Sequence, residues 1–334
     1  MKLCNFISAV TAGVMLCGCS AGSQPMTSHS LFAMDTYITL SGYCDRQTLE
    51  SAGEELNRLE KLWSVNIEDS DIYRLNQNGS AELSDDTAGL LSFALSMSER
   101  TGGALDPTVY PLLREWGFTT DNHHVPDDAV IAKLLKNTGW QRVTLEGNSA
   151  SLPDGMAVDT GAVAKGYAAD LIAEKLRSAG VGAGVIDLGG NVLTFGEKPD
   201  GESWKISIRD PFGEGTAGTL SLGECSVVTS GSYERYFEQD GVRYCHIIDP
   251  ATGRPADSGL ESVTVIADES KVCDALSTAL FVMGEEKASD FWRESGDFEM
   301  IMITSDRRMI LTEGVSDSFE PDSKNHYTRE VISR

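Results

Sequence analysis

Residues 158–176, VDTGAVAKGYAADLIAEKL, set an acid, a run of small residues and a lysine at the mouth of a helix. Val163, Tyr167 and Leu171 recur at i, i+4, i+8 beside Ala164, Ala168 and Ile172, which predicts a helix from about Thr160 with one stripe facing a core. The other face of its first turn is then free for chemistry. Unpaired amides at a helix N-terminus attract phosphate, Gly161 and Ala162 let a ligand approach the backbone, and Lys165 supplies a point charge. Asp159 would repel such an anion unless a cation lay between them, as Mg²⁺ does in phosphoryl-transfer sites. The alternative is a capping aspartate beside a surface lysine.

Residues 272–284, VCDALSTALFVMG, repeat the theme. Asp274 precedes an apolar helix with Ser277 and Thr278 in its first turn, and an Asp oxygen and a Thr hydroxyl four residues on share a helical face, a spacing that suits a hard cation. Ordinary capping by polar first-turn residues is the competing explanation. Residues 244–257, YCHIIDPATGRPAD, end a strand in a turn around Pro250 and Gly253, with His246 and Ile248 expected on one strand face beside a ligand. A histidine there is either a proton acceptor or a satisfied polar residue. In VVTSGSYERYF, 227–237, Ser230 stands at a strand end where its hydroxyl could meet a phosphate or ribose, but the G-x-S-x-G of a nucleophile elbow is missing. IDLGGNV, 186–192, lacks both the G-x-G-x-x-G of a dinucleotide fold and a P-loop lysine. The adjacent His123 and His124 would point apart, which suits a solvated loop better than a metal pair.

The elements that must position these residues follow from periodicity and turn chemistry. Strands are expected at 31–40, 141–145, 184–188, 192–195, 204–208, 217–222, 226–230, 243–248 and 262–266, and helices at 47–63, 87–99, 127–136, 272–283 and 285–295. A hairpin of 299–304 and 309–312 turns near Asp306. Runs of helices and strands without βαβ alternation predict an α+β fold of mixed or antiparallel sheets with packed helices.

The amino terminus reads as a sorting signal. Lys2 precedes a mostly apolar stretch, 3–16, too short for the roughly 20 residues that span a bilayer, and LCGC follows at 16–19. The pattern resembles a bacterial lipoprotein signal over 1–18 with Cys19 lipidated; an ordinary secretory signal or a short anchor is the alternative. Residues 19–30 are expected to be a flexible tether and 31–334 a single catalytic domain. A net charge of −24 argues against nucleic acid and against a polybasic membrane patch, so membrane attachment would rest on the lipid and a phosphate would be held by local amides and a metal. Cys44, Cys225, Cys245 and Cys273 show no zinc spacing and are expected as buried thiols.

AMDT, GGALDPT, VDTGAVAKGYAAD, DLGGNV, TSGSYERYF, HIIDPATGRP and DALSTAL occur in that order, and together they resemble the FAD:protein FMN transferase (ApbE) family from about Phe32 to Leu311. The resemblance implies that Met34 lies at the flavin nucleotide, with Asp35 where the family usually has glycine. It implies FAD contacts from Ala104, Leu105, Asp106, Asp159 and Lys165. It further implies a Mg²⁺ site made by the Ala162 carbonyl, Asp274 and Thr278, with Ser277 standing where some relatives carry another acid, and a catalytic role for His246. Asn66 occupies a loop position at which many relatives stack an aromatic ring on the flavin, and asparagine there is associated with FAD hydrolysis as well as transfer. The implied reaction moves FMN from FAD to a threonine of a membrane-linked redox subunit, of the sodium-pumping NADH:quinone reductase (Nqr) or Rnf type, outside the cytoplasm. FAD hydrolysis and simple flavin binding are its rivals.

Overall fold

The computed structural model describes residues 25–120 and 122–334. The expected signal and Cys19 lie outside them. Strand β1 (Thr27–Ala33) begins inside the segment expected as tether, and it pairs antiparallel with β2 (Thr36–Gly42). The single strand expected over 31–40 is therefore a hairpin. Its two-residue turn holds Met34 at φ 51° and Asp35 at φ 58°, the left-handed geometry that matches strand twist and is usually supplied by Asn-Gly. Neither residue type announces such a turn.

Helix α1 (Arg46–Trp63) starts where Asp45 accepts the Thr48 amide at 2.9 Å, and Leu49, Leu56 and Leu59 form its buried stripe. Its Glu60 accepts the Met34 amide at 2.9 Å, which fastens the hairpin turn to the helix. Next come α2 (Asp71–Asn78), β3 (Ser80–Glu82), α3 (Asp85–Arg100), α4 (Tyr110–Glu115) and α5 (Asp128–Leu134). A 3₁₀ turn, Trp140–Arg142, occupies most of the strand expected at 141–145, and only β4 (Thr144–Glu146) is extended before β5 (Ser149–Ser151). Helix α6 (Gly161–Ser178) follows, then β6 (Gly184–Leu188), β7 (Asn191–Phe195), β8 (Trp204–Arg209), β9 (Thr216–Leu222) and β10 (Cys225–Gly231). The strand expected at 243–248 breaks at His246: β11 (Tyr236–Gln239) pairs with β12 (Val242–Cys245), and β13 (Ile248–Asp249) pairs separately with β14 (Arg254–Pro255). The chain ends with β15 (Leu260–Ala267), α7 (Ser270–Glu294), β16 (Glu299–Thr304), β17 (Arg308–Thr312), α8 (Glu313–Ser316), β18 (Phe319–Pro321) and β19 (Thr328–Ile332). Gly284 at φ 77° breaks α7 between the two helices read from the sequence.

Among the described residues, nine strands form the main sheet in the order β1-β2-β6-β7-β10-β15-β16-β17-β19, antiparallel except for β17 and β19. Both faces of its centre are covered. Met300 and Met302 of β16 face a core shared with α1, α6 and α7, while Ile301 and Ile303 face a second core closed by β8, β9 and β18. Strict alternation of this kind, buried on both sides, makes β16 a nearly continuous apolar run. Cys44, Cys225, Cys245 and Cys273 are buried and unbridged.

The α6–α7 crossing fixes the geometry that matters for chemistry. Val163, Gly166, Ala168, Ala169, Ile172, Ala173 and Leu176 are buried along α6; of the stripe read in sequence Val163, Ala168 and Ile172 are fully buried, while Ala164, Tyr167 and Leu171 pack at its edge, so its centre is shifted towards Gly166, Ala169 and Ala173. Gly166 is the contact point: a Cβ there would lie 2.7 Å from Lys271 Cα and 2.7 Å from Asp274 Cβ, and closer still to the Ser270 carbonyl. Two bonds lock the crossing. Asp170 of α6 accepts the amides of Ser270 at 2.8 Å and Lys271 at 3.0 Å, capping α7 from a neighbouring helix, and Gly166 donates its amide to Asp274 Oδ2 at 2.8 Å.

Two substitutions test these assignments. Asp35→Gly relieves a left-handed backbone that L-residues resist, and should raise stability by about 0.5–1 kcal/mol, read as roughly 1–2 °C in melting temperature; a fall would mean that the Asp35 side chain holds the turn. Gly166→Ala should gain about 1 kcal/mol in helix propensity but lose more, about 2–3 kcal/mol, by forcing α7 away. Denaturant unfolding gives the sign, and a more stable variant would contradict the close crossing.

Candidate active site

A cleft of about 140 Å³ opens where the start of α6 meets the start of α7, the end of β10 and the β6–β7 turn. It gathers Ala104, Leu105, Asp106, Asp159, Ala162, Lys165, Ser230, His246, Ile248, Asp274 and Thr278 from five separate stretches of chain. Three of the residues singled out in sequence do not line it. Met34 sits at the hairpin turn, partly buried against the main core; Asn66 is exposed in the loop after α1, its amide bonded to Ser64 Oγ at 3.1 Å. Ser277 is fully buried behind the wall, where its hydroxyl meets Ser230 Oγ at 2.8 Å and the Asp274 carbonyl at 3.0 Å. It supports Ser230, whose hydroxyl also reaches Thr278 Oγ1 at 3.3 Å.

The first turn of α6 is less open to anions than its sequence suggests. Asp159 Oδ1 takes the Gly161 amide at 2.6 Å, and the Thr160 carbonyl takes those of Val163 and Ala164 at 2.9 Å each. Positive charge comes instead from side chains. Among the described residues neither Lys165 nor Arg235 has a carboxylate partner within 4 Å, although both stand on the cleft of a strongly acidic protein. Their charges act on the buried Asp159 and Glu234 carboxyls at longer range, and because neither is tied up in an ion pair both can meet an anion in the cleft.

The same helix turn offers oxygens to a cation. The Gly166 amide donates to Asp274 Oδ2, and Ala162, one helical turn earlier, lines the cleft wall. Burial pushes the Asp274 carboxyl above the usual carboxylate range, opposed chiefly by the Lys165 charge, so a cation beside it would be favoured electrostatically. The donor set is one carboxylate with the Thr278 hydroxyl and a carbonyl. All are hard oxygens, and they fit a small hard divalent ion that takes its remaining ligands from water and phosphate. Asp159 is likewise pushed up by confinement in the cleft, against the Gly161 amide and the Arg235 and Lys165 charges. Asp106 differs. Its Oδ1 holds the Thr108 amide and hydroxyl at 2.8 and 2.6 Å and its Oδ2 the Trp140 amide at 3.1 Å, so its carboxylate fixes the 104–109 wall.

His246 lies in the bend between β12 and β13, not on a continuous strand, and it lines the cleft together with Ile247 and Ile248. The bend has a local cause: the Arg235 carbonyl accepts both the His246 amide at 3.0 Å and ring Nδ1 at 3.2 Å. A carbonyl only accepts, so Nδ1 carries the hydrogen and Nε2 keeps its lone pair. Burial, with the Arg235 and Lys165 charges, pushes the imidazole down to about 3 and keeps it neutral. His123 and His124 do diverge, one stacked on Phe237 and the other 3.4 Å from Glu115.

Several cleft residues carried no assignment in sequence. Glu234 and Arg235 belong to the SGSYERYF stretch and Asn191 to DLGGN, where their inclusion in motifs was the available signal. Asp170, behind the cleft, closes the VDTGAVAKGYAAD motif, but its role as a cap was hidden because its partners are 100 residues away. Between pH 6.5 and about 3 the unfolded chain binds a proton that folded His246 refuses, so this residue lowers stability as pH falls through that window. In the ligand-free protein the His246 ring resonances should stay those of the neutral Nδ1–H tautomer down to pH 5, and His246→Gln should melt with a shallower loss from pH 7 to pH 5. A midpoint near 6.5 with unchanged slopes would contradict the assignment.

Comparison with known proteins agrees with this arrangement. The family model described as "ApbE family" matches residues 34–302. The chain is 37% identical to the FAD:protein FMN transferase of Treponema pallidum, covering 92% of each chain, and 33% identical to that of Vibrio cholerae, covering 95% of this chain and 98% of the relative. Among solved structures, the ApbE protein of Thermotoga maritima superposes with a TM-score of 0.80 at 33% identity over 90% of this chain and 98% of that one. The flavin transferase ApbE of Vibrio cholerae gives 0.76 at 30% identity, over 89% and 96%. With its sheet order, its cleft and its seven ordered motifs, the chain belongs to the ApbE family.

Proposed function

We propose that this protein is an FAD:protein FMN transferase. A threonine hydroxyl of an acceptor protein attacks the FMN-side phosphorus of FAD, the bond from that phosphorus to the bridging oxygen breaks, AMP departs with that oxygen, and the acceptor keeps FMN as a phosphoester. One observation carries the reading: Asp274 bonds the Gly166 amide, so that its carboxylate, Thr278 and Ala162 share one cleft with Lys165 and Arg235. The names of the 30–37% identical relatives support it.

Lys165 and Arg235 would hold the pyrophosphate, and Ser230 and the Ala104–Leu105 wall would border the nucleotide. Asp274, Thr278 and the Ala162 carbonyl would hold Mg²⁺, which when bound neutralises charge on the phosphoryl oxygens. His246 Nε2 would accept the hydroxyl proton as the new P–O bond forms. Its basicity is low in the ligand-free cleft, and the anionic substrate, by offsetting Lys165 and Arg235, would raise it.

Residues 1–18 complete the reading as a lipoprotein signal, with Cys19 lipidated and the domain held outside the cytoplasm on a bacterial membrane. No helix among the described residues is long and apolar enough to cross a membrane. A membrane-linked redox subunit of the Nqr or Rnf type would be the acceptor. Water is the second possible acceptor, and Asn66 favours it because no aromatic ring stands at that loop position.

Incubation with FAD and Mg²⁺, with and without an acceptor carrying the threonine, separates these outcomes. Transfer gives flavin fluorescence that stays with the acceptor on a denaturing gel; hydrolysis gives free FMN; stoichiometric FAD binding without AMP would reduce the protein to a flavin carrier. Asp274→Ala should lower AMP release by roughly 10²–10³-fold, the loss expected when one preorganised electrostatic group is removed. Near-parental release would overturn the metal assignment.

A further inference from the structure

Asn191, at the first position of β7, is 1% exposed and forms part of the cleft wall. Its side-chain oxygen accepts the Ser270 hydroxyl at 2.7 Å. That bond decides which way round the amide lies, because a hydroxyl donated to Oδ1 leaves Nδ2 turned the other way. Nδ2 is buried and has no hydrogen-bond partner within the protein. A buried amide donor left unpaired costs about 1–3 kcal/mol, so its persistence on a cleft wall calls for a function.

The geometry of α7 says what lies in front of it. Ser270 and Asp274 are one helical turn apart on the same face, so an amide anchored on Ser270 presents Nδ2 along α7 towards the Asp274 carboxylate. Asp274 has one oxygen on the Gly166 amide, which leaves the other to the cleft. The Asn191 side chain also lies close enough to favour the charged form of Asp274.

We propose that Asn191 is a positioning residue for Asp274: anchored by Ser270, its Nδ2, unpartnered in this structure, donates to the carboxylate once a cation draws Asp274 into place, and holds the remaining oxygen aimed at the cation site. Gly166 and Asn191 then grip the carboxylate from two elements, a helix and a strand, that are themselves fixed in the core. The proposal rests on the reading of Asp274 as the carboxylate that faces a divalent cation. Outer partners of this kind tune metal affinity by roughly 10–100-fold.

The test uses MgCl₂ alone as the ligand, with calorimetric titration and thermal melting of the full chain as readouts and no turnover involved. Asn191→Leu removes the donor at similar volume; Ser270→Ala leaves the amide but frees its orientation, and it should fold even if the first variant does not. Asn191→Leu should weaken Mg²⁺ binding by roughly tenfold or more and Ser270→Ala by a smaller factor in the same direction, while metal-free melting of Ser270→Ala stays near the parent's. Parental Mg²⁺ affinity in both variants, or in Ser270→Ala alone if Asn191→Leu does not fold, would overturn the proposal. If the parent itself bound no Mg²⁺ in the presence or absence of FAD, the underlying metal reading would fall instead.

Discussion

One hydrogen bond organises this molecule, the donation from the Gly166 amide to the Asp274 carboxylate across the α6–α7 crossing. It requires two helices to approach until backbone touches backbone, which only a residue without a Cβ allows at position 166. It ties the carboxylate to the turn of α6 that carries Ala162 and Lys165 on the cleft wall. It also carries a carboxylate into a site where burial alone would expel its charge. The main sheet, the paired cores on its two faces and the cap that Asp170 lends to α7 all serve to hold that crossing still.

The charge distribution follows from the same constraint. A protein of net charge −24 has no general attraction for a dinucleotide, yet Lys165 stands in the first turns of α6 and Arg235 beside His246, both without carboxylate partners. Their field has two effects. It holds His246 neutral, with Nε2 free because Nδ1 is committed to the Arg235 carbonyl, and in the proposed reaction it would receive the pyrophosphate. An anion in the cleft would offset the field that suppresses the imidazole, so the proposal couples substrate binding to proton acceptance through ordinary electrostatics.

Much of this was legible in sequence where the signal was local. The α6 start, the Asp274–Thr278 spacing and the break of α7 near Gly284 follow from helical period and from the residues that stop a helix. Other local signals were present and passed over: α2 is bracketed by a capping Ser70 and a left-handed Gly79, a plain start and stop. The β1–β2 turn was hidden because Met34 and Asp35 adopt a conformation that their types do not advertise. β19 was hidden because it is a short, mostly exposed edge strand with no apolar alternation. What no local pattern could supply was the pairing of groups far apart in the chain. Gly166 with Asp274 and Asn191 with Ser270 are 108 and 79 residues apart, and these contacts decide which oxygens face the cleft.

The most direct test of this account is a crystal structure grown with FAD and Mn²⁺ in place of Mg²⁺, with the ion located by its anomalous scattering. The account predicts one strong peak within about 2.5 Å of an Asp274 carboxylate oxygen, the Thr278 hydroxyl and the Ala162 carbonyl, with a pyrophosphate oxygen completing the shell and Lys165 beside it. A peak elsewhere would contradict it.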